Sequence, residues 1–239
     1  MISPEYSVII PVLDEEESLP VLQEKISSVM KECGSEYEII YIDDFSRDNS
    51  LNILKSIKEK DPRVKAYSFE NHRGQSAALC AGVRLAKGNW IITLDADLQN
   101  PPEEITKLLV YKNEYDFITG IRERRQDSFI RIVSSRTAWF FRRAVLKDYT
   151  KDVGCSLRCF RKEVGEAFPF FRNFHRFFPY LAGRLGFRIK EVQVKHFPRK
   201  FGRSKYGTLN RLGQGLFDLI GVFWLSKRIF EYRFRCENS

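Results

Sequence analysis

Residues 90–99 read Trp90-Ile91-Ile92-Thr93-Leu94-Asp95-Ala96-Asp97-Leu98-Gln99, an apolar run that passes directly into two carboxylates and an amide. Trp90–Leu94 lacks the in-out alternation of a strand with one wet face, so it reads as a strand buried on both sides. Working outward, the same pattern recurs at Tyr6–Val12, Tyr37–Ile42, Val64–Phe69 and Asp116–Ile121. Between these runs lie an acid-rich helix start at Asp14-Glu15-Glu16-Glu17, a helix over Leu51 to Lys60, and a small-residue helix from Gly74 to Lys87, stopped by Gly88. Buried strands alternating with helices predict an α/β fold with a mainly parallel sheet covered on both faces. In such sheets ligands bind outside the carboxyl ends of the strands. Here the first strand is followed by Glu15, the second ends at Asp43-Asp44 and the fourth at Asp95-Ala96-Asp97, so three strand ends bring acids to one edge.

The 239 residues suffice for one large domain or a domain with an appendage, and 43% hydrophobic with 30% charged residues is the balance of a folded chain. No stretch of about 18 apolar residues predicts a membrane-spanning helix. Met1-Ile2-Ser3-Pro4 runs straight into the first strand, so no signal peptide is expected. Five scattered cysteines without CxxC spacing read as reduced thiols of a cytosolic protein. The net charge of +9 is unevenly placed: from Lys195 onward ten basic residues face three acidic ones, and a second basic cluster runs from Arg122 to Lys147. This asymmetry predicts a polyanionic partner, although solvated surface charge gives the same composition.

Beyond residue 121 the alternation weakens. Ser128–Leu146 reads as a basic, aromatic helix, Cys155–Phe160 as a strand, Lys162–Phe168 and Phe174–Leu185 as helices, and Phe187–Phe197 as a strand. Gly202 to Gly207 reads as a mobile loop. Leu209 to Phe234 is an amphipathic to apolar helix or helix pair. The expected division is a catalytic domain over 1–207 and a helical tail over 208–239. That tail has two readings: core packed on the domain, or a membrane element with Phe and Trp at the lipid interface and Lys227, Arg228, Arg233 and Arg235 on anionic headgroups.

Asp95, Asp97 and Gln99 offer two carboxylates and an amide oxygen at i, i+2 and i+4, hard ligands suited to Mg2+ or Mn2+ shared with substrate phosphates. The plainer alternative is that both acids cap or solvate a loop. Asn100-Pro101-Pro102-Glu103-Glu104 then opens a helix, with proline in the first turn and acids favourable to its dipole. His72, His175 and His196 are scattered and read as neutral, hydrogen-bonded structural residues, with His175-Arg176 also able to face a substrate.

Four strings carry a family resemblance. VIIPVLDEEESL resembles the opening PxYNExxxL of the family-2 inverting glycosyltransferases of GT-A fold, and IDDFSRDNS resembles their DDxSxDxT. NHRGQSAALCAGVRLAKGNWIITLDADLQNPPE supplies the remaining two in order. Asp152-Val153-Gly154-Cys155-Ser156-Leu157-Arg158, and His196-Phe197-Pro198-Arg199 followed by Gly202 to Tyr206, are similar to the polyprenyl-phosphate subgroup. The resemblance implies that Pro11, Leu13 and Glu15 line a nucleotide pocket, with Asp43 on base or ribose. Leu13 stands where the family has an aromatic and Asp14 where it has Asn, which leaves the base open. It further implies that Asp95 and Ala96 approach the nucleotide, that Asp97 and Gln99 ligate the metal, and that Arg122 contacts the donor diphosphate. Arg131 and Ser135 would hold the acceptor phosphate, and Arg199, Arg203, Ser204 and Lys205 would form a loop gripping phosphate over the donor. Asp152 is the candidate for a base or orienting role, with an ion-paired structural aspartate as the alternative.

The expected reaction moves a sugar from a UDP- or GDP-sugar to a polyprenyl phosphate at the cytosolic face of a membrane. Departure of a nucleoside diphosphate develops about two negative charges, which a divalent cation and Arg/Lys stabilise. A lipid monophosphate is already ionised, so positioning replaces a strong base. The rival within the enzyme class is transfer to a sugar hydroxyl, which needs a base. A nucleic-acid-binding protein is the rival outside it, and no RNP, helix-turn-helix or zinc-finger signature supports that reading. A membrane-protein partner and a homo-oligomer both remain compatible with the chain.

Overall fold

The buried runs assemble, in a computed structural model, into one seven-stranded sheet described over residues 3–123, 141–199 and 210–228. Its first half is parallel: β1 (Tyr6–Val12), β2 (Tyr37–Asp43), β3 (Val64–Ser68) and β4 (Trp90–Thr93) lie in the order β3-β2-β1-β4. The second half continues as β6 (Arg158–Arg161), β5 (Phe117–Arg122) and β7 (Ile189–Val194). β6 runs antiparallel between β4 and β5, while β5 and β7 are parallel. This one reversed strand is the departure from an otherwise parallel sheet.

Successive side chains of each strand enter opposite layers, as a period of two requires. Val8, Ile10, Ile39, Tyr41 and Ile92 pack beneath α1 (Leu19–Glu32), α2 (Ser50–Lys60) and α4 (Ile105–Leu109). Ile9, Ile40, Ile42 and Ile91 face α3 (Gln75–Leu85), α5 (Lys162–Ala167), α6 (Phe178–Arg184) and α7 (Asn210–Ser226). The small residues of α3 let it lie close to the sheet: a Cβ at Gly82 would come 2.3 Å from Ile9 Cγ2. Phe117, Phe160, Phe168 and Phe178 fill the second layer, with Phe168 and Phe178 stacked at 4.7 Å between centroids and Phe117 and Phe160 at 5.4 Å.

Several expected boundaries move for local reasons. The acid-rich turn does not start a helix, because Asp14 has a left-handed backbone (φ 45°) and α1 begins only at Leu19 with proline in its first turn. The strand expected over Cys155–Phe160 is shifted to Arg158–Arg161, since Ser156 bonds the β4 exit with its side chain instead of continuing the ladder. Phe174–Leu185 splits into a tight turn, Phe174–Phe177, and α6, after the left-handed Asn173 and with proline in the first turn of α6. Of Ser128–Leu146, residues 141–146 are described and helical.

α7 sinks Leu219 and Val222 into the second layer. Asn173 Nδ2 donates to Asp218 at 2.9 Å and Arg184 Nη2 donates to the Ser226 carbonyl at 3.0 Å, pinning the helix along its length. Its opposite side leaves Phe217, Ile220, Phe223 and Trp224 exposed, so the core and interfacial readings of this segment apply to different faces.

At the amino end of the sheet, Gly88 packs on bare backbone: its N–H donates to Ser7 Oγ at 2.8 Å, and a Cβ there would lie 2.6 Å from Ser7 N. Backbone cannot swing aside as a side chain can. Gly88→Ala is expected to cost about 2 kcal/mol by overpacking, read as a lower urea midpoint at unchanged slope.

Candidate active site

The crevice follows from where β1 and β4 part. β1 has neighbours on both sides, β2 and β4, and β4 pairs with it only as far as Thr93↔Ile9. Pro11, which lacks an N–H, sits just beyond that point on the side β4 has left, so its missing donor costs no ladder bond. The chain order reverses between these two strands, the place where open α/β sheets bind ligands.

Strain gathers around the same edge. Five described non-glycine residues have clearly positive φ, and three of them, Asp14, Phe45 and Leu98, lie in the loops that leave β1, β2 and β4. Each such residue costs on the order of 1–3 kcal/mol and persists only where the surroundings over-determine it. The first two loops are indeed cross-stitched. Asp14 N–H donates to Ser46 Oγ at 2.8 Å, Arg47 N–H to Asp14 Oδ1 at 2.6 Å, and Glu15 N–H to Ser50 Oγ at 2.8 Å. Asp44 accepts from the N–H groups of Arg73 and Gly74 at 2.7 and 2.8 Å, tying the entry of α3 to the same edge, and pairs with His72 at 2.9 Å.

The β4 exit is built on a polar floor. Ser156 Oγ accepts from Asp95 N–H and from Asn100 Nδ2, and Thr93 Oγ1 donates to the Ser156 carbonyl. Gln75 Nε2 donates to Asp95 Oδ1 at 2.8 Å. Although some of the Asp95 surface remains accessible, burial of its carboxylate, then the charge of Asp97, pushes its pKa up to about 6. Below it lies Arg158, buried beside Phe178, whose pKa burial lowers to about 10, so it stays charged at neutral pH. His175 accepts from or donates to Ser76 Oγ through Nδ1 at 2.8 Å and is driven down to about 3 by burial, then by Arg158 and Arg176. It is neutral, as expected of a structural histidine.

Across the crevice, Arg199 Nη2 reaches Glu15 Oε1 at 3.0 Å and Asp97 Oδ2 at 3.1 Å. Burial opposes the charge of Arg199, but Glu15 and Asp97 hold its pKa above the ordinary value. The segment carrying Arg199 is fastened to the β4 exit, with Phe197 N–H donating to the Gln99 carbonyl at 2.8 Å and His196 Nδ1 3.4 Å from Asn100 Oδ1. Residues 11–15, 95–99 and 199, far apart in sequence, therefore form one site.

The amide of Gln99 is set by its neighbours: its nitrogen donates to Asp97 Oδ2 at 3.0 Å, and its oxygen accepts from Arg199 N–H at 3.3 Å. Asp97 and Gln99 thus lie side by side on one loop, a carboxylate and an amide whose oxygens are the hard donors a divalent ion takes. Among the described residues no cluster of three His, Cys, Asp or Glu side chains could hold a metal.

Other expected residues divide clearly. Asp43 is buried in the floor, accepting from Ser68 Oγ at 2.7 Å and Ser46 N–H at 3.3 Å. Ala96 is buried and Leu13 half-buried beside Asp95 and Asp14 respectively. Asp152 and Arg122 pair face to face, Nε to Oδ2 at 2.7 Å and Nη2 to Oδ1 at 2.8 Å. The Arg122 and Gly154 N–H groups also donate to Asp152. This favours the ion-paired alternative for Asp152 over a base, and it commits two of the three guanidinium nitrogens of Arg122. Arg131, Ser135, Arg203, Ser204 and Lys205 lie outside the described residues. Asn100, Ser156 and Arg158 carry no chemical signal of their own in the sequence beyond the motifs that contain them, and their roles come from the fold.

A mainly parallel sheet with an acidic crevice at its switch point, metal-compatible and closed by an arginine, defines the class of GT-A nucleotide-sugar folds. The chain belongs to glycosyl transferase family 2, whose profile matches residues 7–167. It is 40% identical over 216 residues to the undecaprenyl-phosphate 4-deoxy-4-formamido-L-arabinose transferase of Yersinia enterocolitica and 38% identical to that of Pectobacterium atrosepticum. These matches cover 90% of this chain and 66% of each relative, so the chain spans just under two thirds of their length. Among solved structures, glucosyl-3-phosphoglycerate synthase from Mycobacterium tuberculosis with Mn2+, UDP and phosphoglyceric acid superimposes with a TM-score of 0.70 at 15% identity. That match covers 95% of this chain and 80% of the other, and it establishes the shared GT-A fold.

The Arg122–Asp152 pair gives a direct test of its structural role. Asp152→Ala leaves a guanidinium in a mostly buried position without its carboxylate, and a loss of roughly 3 kcal/mol is expected in urea denaturation. A loss below about 1 kcal/mol, the range of an exposed pair, would return Asp152 to the candidate bases.

Proposed function

We propose that this protein transfers a sugar from a nucleoside diphosphate to a polyprenyl phosphate at a membrane surface. The observation that carries this reading is the 40% identity, over nine-tenths of the chain, to transferases named for undecaprenyl phosphate. The sugar of those relatives is the first donor group to test.

In this reading Pro11, Leu13, Glu15 and Asp43 line the nucleotide side of the crevice, with Asp43 toward base or ribose, and Asp95 and Ala96 border the diphosphate. Asp97 and Gln99 hold Mg2+ or Mn2+, a role supported by their adjacency on the loop that leaves β4 and by the hard oxygens both side chains can offer. The bound ion would neutralise charge developing on the leaving diphosphate. Arg199 already bridges the two carboxylates that flank this position, and its segment is tied to Gln99, so donor entry and the setting of this loop are linked. Its guanidinium is a ready counter-charge for phosphate once the carboxylates turn to the ion. Arg203, Ser204 and Lys205, which follow Arg199 in the sequence, remain the proposed further grip on phosphate, and Arg131 with Ser135 remains the proposed hold on the acceptor phosphate.

A lipid phosphate suits the state of Asp152. An acceptor hydroxyl needs a base, whereas a phosphate oxygen is ionised and needs only alignment with the anomeric carbon. Asp152 spends both carboxylate oxygens on Arg122 and backbone, which supports the phosphate acceptor over a sugar hydroxyl.

No helix among the described residues is long and apolar enough to cross a membrane. α7 instead presents Phe217, Ile220, Phe223 and Trp224 outward, next to Lys227 and Arg228, a combination that suits the boundary between acyl chains and anionic headgroups. The cytosolic face, a membrane-protein partner and self-association belong to the same proposal.

Two experiments test it. Incubation of labelled UDP- and GDP-sugars with short polyprenyl phosphates and Mg2+ or Mn2+ is expected to move label into the organic phase, and EDTA is expected to abolish the transfer. Label that reaches only water-soluble glycans would favour the hydroxyl acceptor. In sedimentation with vesicles containing anionic lipid, Phe217→Ser/Trp224→Ser is expected to lose most binding at an unchanged melting temperature, because both side chains are exposed. Undiminished binding would move the membrane contact to another surface.

A further inference from the structure

Phe45 occupies a position that ordinary packing does not explain. It directly follows Asp43 and Asp44 at the carboxyl end of β2, has φ 66°, and leaves 44% of its surface exposed. A single exposed apolar residue is unremarkable on its own. A bulky side chain on a left-handed backbone is an outlier, since glycine adopts that conformation without the steric cost. The conformation is not a loose end, because both neighbours are fastened. Asp44 N–H donates to the Val12 carbonyl at 2.8 Å, and its carboxylate takes the N–H groups of Arg73 and Gly74. Ser46 accepts from Asp14 N–H at 2.8 Å and donates its own N–H to Asp43 at 3.3 Å. A fastened frame thus holds a partly exposed Phe45 in the loop that leaves β2, beside the crevice.

β1–β2 pairing sets Val12 against Asp43, which brings Leu13 level with Asp44 and Phe45 close behind. Along this side of the crevice lie the acids Asp14, Glu15, Asp43 and Asp44 with half-buried Leu13, and Ser46 and His72 are bonded to Asp14 and Asp44. The cation that can meet phosphate here is Arg199, which reaches Asp97 beside Gln99, so the diphosphate belongs at the β4 end. What remains near β2 must be uncharged, able to donate hydrogen bonds to carboxylates, and flat enough to use an exposed ring. A nucleobase with its ribose has these properties, and base–aromatic stacking tolerates any base.

We propose that Phe45 is the platform on which the nucleobase of the donor stacks, an assignment that rests on the nucleotide-sugar reading above. Phe45 then contributes affinity for the nucleoside end without choosing between bases, and Leu13 needs no aromatic character.

Isothermal titration of UDP, GDP and inorganic pyrophosphate, each with Mn2+, compares the full chain with Phe45→Ala, Phe45→Gly and Phe45→Trp. For whichever nucleotide binds the parent protein, Ala and Gly are expected to weaken binding about tenfold and Trp to retain it. Pyrophosphate binding is expected to stay unchanged in all three. Gly is expected to melt at or above Ala, because it relaxes the left-handed backbone while lacking the same ring. Affinity that follows melting temperature instead of the ring overturns the proposal, as does an equal loss for pyrophosphate or parental nucleotide affinity in the Ala and Gly variants. A parent protein that binds neither nucleotide overturns the nucleotide-sugar reading, and the assignment of Phe45 with it.

Discussion

Carboxylates crowded at one edge of a sheet repel each other, and the edge holds together only if positive charge or hydrogen-bond donors are brought to it. Glu15 and Asp97 solve this through Arg199, which lies between them at 3.0 and 3.1 Å. Asp44 solves it with two backbone N–H groups and His72. Among the described residues Asp95 meets Gln75, with Ser156 behind its backbone and Arg158 and Arg122 more distant, and burial, then the charge of Asp97, raises its pKa.

The same demand explains the connections around it. Because the counter-charge comes from residue 199, the segment after β7 must be held near β4, and the Phe197 N–H to Gln99 carbonyl bond does that, with His196 beside Asn100. Because β6 is reversed, its preceding turn delivers Ser156 beneath Asp95 and Asn100 while Arg158 stays in the layer below. Asp152 closes the far end of that turn on Arg122, the last residue of β5. Three strand exits and two later segments are thereby set by one electrostatic problem, and the strained residues Asp14, Phe45 and Leu98 lie where they meet.

Below this edge the fold is ordinary in its energetics. Apolar strand faces alternate into two helical layers, and the phenylalanine cluster around Phe160 and Phe178 fills the space beside β5 and β6. α7 joins the second layer through Leu219 and Val222 but keeps aromatic side chains outside, so one helix serves both the core and a surface.

The strands of residues 6–122 and helices α2 and α3 were legible from the chain alone, because burial on both faces writes continuous apolar runs and helices write their own period, whereas the acids at 14–17 form a turn and not the start of α1. The strand-end acids and the motif around Asp95, Asp97 and Gln99 were legible for the same reason, since the side-chain chemistry is local to the string. The state of those acids was not. That Arg199 bridges Glu15 to Asp97, that Asp152 is held by Arg122, and that Arg158 lies buried beneath the crevice are contacts between residues tens to nearly two hundred positions apart. The left-handed backbone of Phe45 was equally hidden, because residue type alone argues against it. Periodicity and composition record which face a residue presents; only the folded chain decides which charge it meets there.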